Sequence, residues 1–138
     1  MTKFSGESII FDSSAVMRFS DNRKGADLVG SFLESSMNNK TSAFISSLSV
    51  LEFVSLVGGR DYKMACTPLE LLKRSNVKIL PATESVCLRA AGLRIKYGSS
   101  KISTADWIII ATSLENNSRL ITGDKEWPKI NEARVTVI

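Results

Sequence analysis

There is no histidine anywhere in the chain. That absence removes every Ser-His-Asp and Cys-His nucleophile scheme and every acid/base mechanism built on an imidazole, leaving carboxylates, hydroxyls and lysines for chemistry. Cysteine is nearly as scarce: Cys66 and Cys87 are the only two and form no CxxC pair, so a zinc site of the usual kind is not expected. Free core thiols in a reducing compartment account for both. Long apolar runs are missing as well. The longest, such as Trp107 to Ala111, fall far short of the roughly 20 residues a spanning helix needs, and the N-terminus carries no signal-peptide pattern. A cytoplasmic protein with no membrane association is the expectation.

What is present is ordinary for a globular protein. Hydrophobic residues make up 43% and charged residues 23% of 138 positions, which predicts a single domain over 1–138 with a core of normal size. The net charge is +4. Such an excess leans toward a polyanionic partner, although it also serves solubility alone. If four acids are gathered into one pocket and neutralised, 18 basic residues face ten acids, and the remaining surface carries +8.

The chain is organised around Ile9-Ile10-Phe11-Asp12-Ser13-Ser14-Ala15, an apolar run that stops on a carboxylate and two hydroxyls. It reads as a strand buried on both faces, with Asp12 at its carboxyl end. A short helix follows over Ser13 to Phe19, capped by Asp12 or Ser13. Helical periodicity runs from Arg23 to about Met37 and stops at Asn38-Asn39-Lys40. Ala43-Phe44-Ile45 is a second strand, and Ser46 to Val57 an amphipathic helix stopped at Gly58-Gly59. Pro68 suits the first turn of a helix toward Lys73-Arg74, or the kink of a longer one from Asp61. Val77 to Leu80 is a third strand and Thr83 to about Lys96 the next helix, broken by the loop Tyr97 to Lys101. Ser103 caps an apolar helix through Leu114. Arg119 to Thr122 is a fourth strand and Arg134 to Ile138 a fifth. Strands alternating with helices predict an α/β sandwich with a mostly parallel sheet.

Four acids stand where a strand ends or a helix begins: Asp12, Glu52, Asp106 and Asp124. Each has a local explanation. Asp12 is a helix cap, Ser49-x-x-Glu52 and Ser103-x-x-Asp106 fit the capping box, and Asp124 sits in a Gly-Asp-Lys turn. Together they ask for more. Glu52 lies between Leu51 and Phe53, and Asp106 precedes Trp107 and three isoleucines, so both are close to surfaces expected to be buried, where a charge rarely stays unpaired. The nearest cations in sequence, Arg60 and Lys101, are not at the three- or four-residue spacing that brings helical side chains together. A hard divalent cation on oxygen ligands, Mg²⁺ or Mn²⁺, meets that need.

The segments around Asp12, Leu51-Glu52-Phe53, Ser103 to Ala111 and Leu120 to Trp127 resemble the successive motifs of PIN-domain nucleases, and the length and composition are similar to VapC toxins of toxin–antitoxin pairs. The resemblance implies a three-layer α/β/α sandwich that holds Mg²⁺ or Mn²⁺ for endonucleolytic RNA hydrolysis. It implies Asp12 and Asp106 as principal ligands, Glu52 and Asp124 as outer ligands, and Ser14 and Thr122 as supporting residues. It also implies a cognate antitoxin and a homodimer through helices near the N-terminal half. Departures from the pattern are Ser55, where relatives often carry asparagine, and Trp127 in place of a phenylalanine.

Around these motifs, Arg18, Lys101 and Lys125 are candidates for the phosphate backbone, and Tyr97 and Trp127 for stacking on unpaired bases or for packing. Other readings are weaker or remain open. A haloacid-dehalogenase-type phosphatase wants an acid where Ser14 stands, and a receiver wants an acidic pair where Phe11-Asp12 offers one acid. An RNA-processing nuclease outside any toxin pair and a non-catalytic RNA-binding or assembly module stay as alternatives.

Overall fold

The computed structural model describes residues 6–57, 61–98 and 101–138. The helix stop at Gly58-Gly59, the cation Arg60 and the loop positions Ser99 and Ser100 lie outside the described residues. In chain order the elements are β1 (Ser8–Phe11), α1 (Ser13–Ser20), α2 (Ala26–Met37), β2 (Ser42–Ser46), α3 (Ser47–Val57), α4 (Tyr62–Ala65), α5 (Thr67–Arg74), β3 (Lys78–Leu80), α6 (Glu84–Tyr97), α7 (Thr104–Glu115), β4 (Arg119–Thr122), a 3-10 turn (Trp127–Lys129) and β5 (Val135–Val137).

The five strands form one sheet in the order β3-β2-β1-β4-β5, and every pairing is parallel. Side chains alternate across it as the strand period requires. Ile9 and Phe11 of β1, Ala43 and Ile45 of β2 and Ile121 of β4 enter one core with Val16, Val29, Phe32, Phe53 and Leu72 from α1, α2, α3 and α5. Ile10 and Leu120 enter the other with Ala90, Leu93, Trp107, Ile110 and Trp127 from α6, α7 and the 3-10 turn. Both faces of the sheet are covered, which is why the central strands read as continuous apolar runs. The result is the three-layer α/β/α sandwich.

Helices stop by a shared device. Asn22, Asn39, Asn76 and Asn117 adopt positive φ angles of 52°, 58°, 62° and 51°, each two residues beyond the end of α1, α2, α5 or α7. Asparagine tolerates the left-handed region better than other residues with a Cβ, and here it does the work usually given to glycine. Gly98, at φ 55°, does the same for α6.

Three local expectations change. Between α3 and α5 there is no single kinked helix: Asp61 caps the four-residue α4 by accepting from Lys63 N and Met64 N, the chain breaks at Cys66, and Pro68 sits at the start of α5. Helix α3 begins at Ser47, with Ser46 Oγ accepting from Leu48 N at 3.1 Å, so Ser49-x-x-Glu52 is an interior stretch and no capping box. Both cysteines are free, but neither is a core thiol: Cys66 is half-buried in the α4–α5 break and Cys87 is exposed on α6.

The order of strands decides where a ligand goes. From β1 the chain steps outward to β2 and β3, then returns to the other side of β1 for β4 and β5. The crevice at the carboxyl ends of β1 and β4 is therefore the topological switch point, where open α/β sheets bind ligands.

Candidate active site

Asp12 follows directly on β1, at that switch point. Its backbone N–H donates to Ile121 O at 2.9 Å, which stitches it to β4, and only 4% of the residue is exposed. The two carboxylate oxygens are served separately. Oδ1 accepts from Ser13 N at 2.7 Å and Ser13 Oγ at 3.3 Å, and Oδ2 accepts from Ser14 Oγ at 2.7 Å and Thr122 Oγ1 at 2.9 Å. Both hydroxyls are themselves held. Gly123 N donates to Ser14 Oγ at 2.9 Å and Asp124 N to Thr122 Oγ1 at 3.0 Å. Since each hydroxyl has one proton and spends it on Asp12, the 3.4 Å approach of Ser14 Oγ to Thr122 Oγ1 carries no further bond.

Glu52 arrives from α3 and Asp106 from the first turn of α7. Oxygens of Asp12, Glu52 and Asp106 lie within 4.8 Å of one another. Asp106 is also a helix cap partner: Ser103 Oγ accepts from Asp106 N at 3.1 Å and Ser103 N donates to Asp106 Oδ2 at 3.2 Å, a full capping box. The local and the collective explanations of Asp106 both hold. Glu52 is half-buried, yet its neighbour Leu51 is 61% exposed while Phe53 is sealed in the core, because one side of α3 faces the sheet and the other solvent.

Asp124 stands apart from the three. It lines the same open cleft, of about 580 Å³, with Asp12, Ser14, Arg18, Asp106 and Lys125, but its Oδ1 accepts from Glu126 N at 2.8 Å, and it is not among the three acids whose oxygens converge.

Electrostatically the cluster is under tension. Burial raises the pKa of Asp12, against the hydrogen bonds from Ser14, Thr122 and Ser13. Burial first, then the carboxylates of Asp12 and Asp106, raises Glu52. Burial likewise raises Asp106, with Asp12 and Asp124 adding to it and the Ser103 bonds opposing. Among the described residues the ion pairs all lie elsewhere. Three converging carboxylates with no pairing cation and no nitrogen ligand among the described residues are the donor set of a hard divalent ion, so these residues fit Mg²⁺ or Mn²⁺.

The basic candidates divide. Lys125 is exposed at the cleft. Arg18 lies flat on the Gly123 backbone, so that a Cβ at Gly123 would meet its guanidinium at 2.8 Å, and its Nη1 donates to Ile138 O at 2.6 Å. It braces the cleft wall. Lys101 faces a neighbouring pocket and pairs with Glu126 at 3.8 Å. The aromatic candidates are both engaged within the protein. Trp127 is 1% exposed, drawn inward by the 3-10 turn, and the Tyr97 ring stacks on Trp107 at 6.1 Å with Lys96 Nζ at 5.4 Å from its centroid.

Sequence reasoning missed Ser13 as a site residue. Its hydroxyl faces Asp12 Oδ1 at 3.3 Å and Glu52 Oε1 at 3.2 Å, one proton shared by two acids. The signal was its place directly after the strand-end aspartate, where it passed for a helix cap.

A family model for the PIN domain matches residues 9–133. Among solved structures the chain is similar to VapBC2 from Rickettsia felis, a complex bound to a DNA fragment from its promoter, at 18% identity and TM-score 0.77, over 95% of this chain and 98% of that one. It is similar to VapBC-1 from nontypeable Haemophilus influenzae at 23% identity and TM-score 0.71, over 94% and 97%. A toxin–antitoxin complex from Klebsiella pneumoniae matches at 21% identity and TM-score 0.68, over 94% and 96%. No curated protein matches the sequence.

Proposed function

Since the chain belongs to the PIN-domain family, we propose that it is a metal-dependent endoribonuclease, the toxin of a toxin–antitoxin pair. The observation that carries the catalytic reading is the convergence of Asp12, Glu52 and Asp106 from three separate elements to within 4.8 Å at the switch point of a parallel sheet. Asp12, Asp106 and Glu52 would hold Mg²⁺ or Mn²⁺, with Asp124 completing the set from the cleft wall. When bound, the cation supplies charge neutralisation at the phosphodiester and an activated water.

The chain's own residues do the rest. Ser14 and Thr122 fix the plane of the Asp12 carboxylate and are fixed in turn by the Gly123 and Asp124 amides. Of the donors to Asp12, Ser13 Oγ is the weakest, with its proton divided between two acids, and is the one a cation displaces most readily. Among the described residues Glu52 accepts from Ser13 alone, on Oε1, which leaves Oε2 to orient the attacking water. Lys125 supplies positive charge at the cleft for the phosphate backbone.

Partners are supported by two things. The solved structures it resembles include toxin–antitoxin complexes, and an apolar groove of about 430 Å³ between α1, α2, α4 and α5 is lined by Val16, Phe19, Leu33, Met64 and Leu71. Leu51, Leu56, Tyr62 and Met64 are 61%, 74%, 72% and 69% exposed, an apolar surface of the kind that associates. An antitoxin and a second copy of the chain are the partners proposed for it.

The test is incubation of purified protein with a panel of RNAs in Mg²⁺ or Mn²⁺ and in EDTA, beside Asp12→Asn and Asp106→Asn. Cleavage that stops on chelation and in both variants is expected. Cleavage that survives them sinks the metal site, and sequence-insensitive binding without cleavage favours the RNA-binding module. A small reading frame immediately upstream of the gene, encoding an antitoxin, is expected; its absence favours RNA processing.

A further inference from the structure

Beyond Asp124 the cleft does not end. Glu126 lines both the acidic cleft and a second pocket of about 320 Å³, which is walled by Tyr97, Gly98, Lys101, Ile102, Lys129 and Ile130. In that shared wall Glu126 holds two lysines from different segments, one on each oxygen. Lys101 Nζ is 3.8 Å from Oε1, and Lys129 Nζ bonds Oε2. Both lysine side chains stay largely exposed, at 71% and 70%, whereas the glutamate is 32% exposed. A half-sheltered carboxylate thus fixes two solvent-facing cations beside a site whose own charge is negative.

Two oxygens of one anion, each facing a separate lysine, is also how the non-bridging oxygens of a phosphodiester are received. We propose that the second pocket is a subsite for a backbone phosphate flanking the scissile bond, with Lys101 and Lys129 as its cations and Glu126 as the placeholder that keeps them in position until RNA arrives. Exposed ion pairs are worth little, so exchanging a carboxylate for a phosphate costs little while the lysines stay pre-arranged. The subsite also answers a physical problem: three clustered acids repel a polyanion, and paired lysines one step along the cleft give it a landing place. Tyr97 serves as wall rather than stacking platform, because its ring is engaged by Trp107 and its hydroxyl bonds Glu132.

The inference rests on the ribonuclease reading and is tested separately from it. Binding of a fluorescein-labelled single-stranded RNA decamer is followed by anisotropy in the Asp12→Asn background, and cleavage kinetics are measured in otherwise wild-type protein. Lys101→Ala and Lys129→Ala are each expected to weaken binding about three- to tenfold and to lower the salt slope by about 0.7, raising KM with kcat little changed. Glu126→Gln is expected to do the opposite, tightening binding about two- to fivefold, the size of one exposed ion pair. Glu34→Gln, an equal charge change on α2, serves as the control and is expected to leave binding unchanged. Normal thermal midpoints exclude misfolding. If wild-type protein cleaves RNA but the lysine variants keep their affinity, or if Glu126→Gln and Glu34→Gln behave alike, the subsite is wrong and the nuclease stands. If nothing is cleaved yet the lysine and glutamate effects on binding persist, the subsite stands and the nuclease reading falls.

Discussion

Asp12 carries a donor set that is fixed at one remove. Ser14 and Thr122 donate to it while the Gly123 and Asp124 amides hold their oxygens, so removing a hydroxyl both takes one donor from Oδ2 and strands an amide. Ser14→Ala is expected to weaken metal affinity about 10- to 100-fold, as loss of a ligand's supporting bond does, and a Mn²⁺ titration of cleavage reads that shift directly. The raised carboxylates give a second outcome with a definite sign. Glu52 and Asp106 ordinarily titrate near 4.5 and 3.8 and are raised in the fold, so the folded state binds their protons more tightly than the unfolded chain does. In EDTA, stability should therefore rise as pH falls from 7 through the raised values, with the penalty gone near the ordinary ones. Glu52→Gln should raise the melting temperature at pH 7 and flatten that dependence. Thermal melts from pH 4.5 to 7.5 would show it, and a flat wild-type profile would contradict it.

At the level of elements, helix α7 has two separable jobs. Its capping box secures its first turn, and the same Asp106 faces the cleft. Ser103→Ala should cost about 1 kcal/mol of stability with modest loss of activity, while Asp106→Asn should abolish cleavage at a smaller thermal cost. Equal losses in both assays for both variants would refute the separation. The α1–β4 contact offers another check. Gly123 has no Cβ, and Arg18 fills that space, so Gly123→Ala must push Arg18 off Ile138 O. Gly123→Ala and Arg18→Ala should then be strongly non-additive in a double-mutant cycle on stability, because each removes the same brace.

For the molecule as a whole, what could be read from residues alone followed burial. Ile9 to Phe11 and Leu120 to Ile121 are sealed, and Ala43 and Ile45 are buried with Phe44 between them partly so, and near-continuous burial is visible as continuous hydrophobicity. The acids at the ends of those strands were legible for the same reason, since an abrupt carboxylate after an apolar run stands out. What depended on pairing through space was not. No local signal gives the order β3-β2-β1-β4-β5, the inward turn of Trp127, the drift of Asp124 away from the other acids, or the shared proton of Ser13, because each is set by residues far away in the chain. The exposed apolar residues of α3 and α4 make a molecular prediction as well. Light scattering should find a dimer, and Leu56→Lys, at a position 74% exposed, should yield monomer without unfolding. A wild-type monomer would remove that partner.

The pairing of β1 with β4 joins Phe11 to Ile121, and it sets a schedule for biosynthesis. Asp12 leaves the ribosome well before its supports: Thr122 and the Gly123 and Asp124 amides that orient it come more than a hundred residues later. At about 5 to 20 residues per second, the incomplete chain spends several seconds with its first acid made and its mount missing. A nascent chain halted before Arg119 should therefore be inert toward RNA however much of its first core has formed. On the proposed ribonuclease reading, chemistry at Asp12 is withheld until β4 has been made and paired with β1.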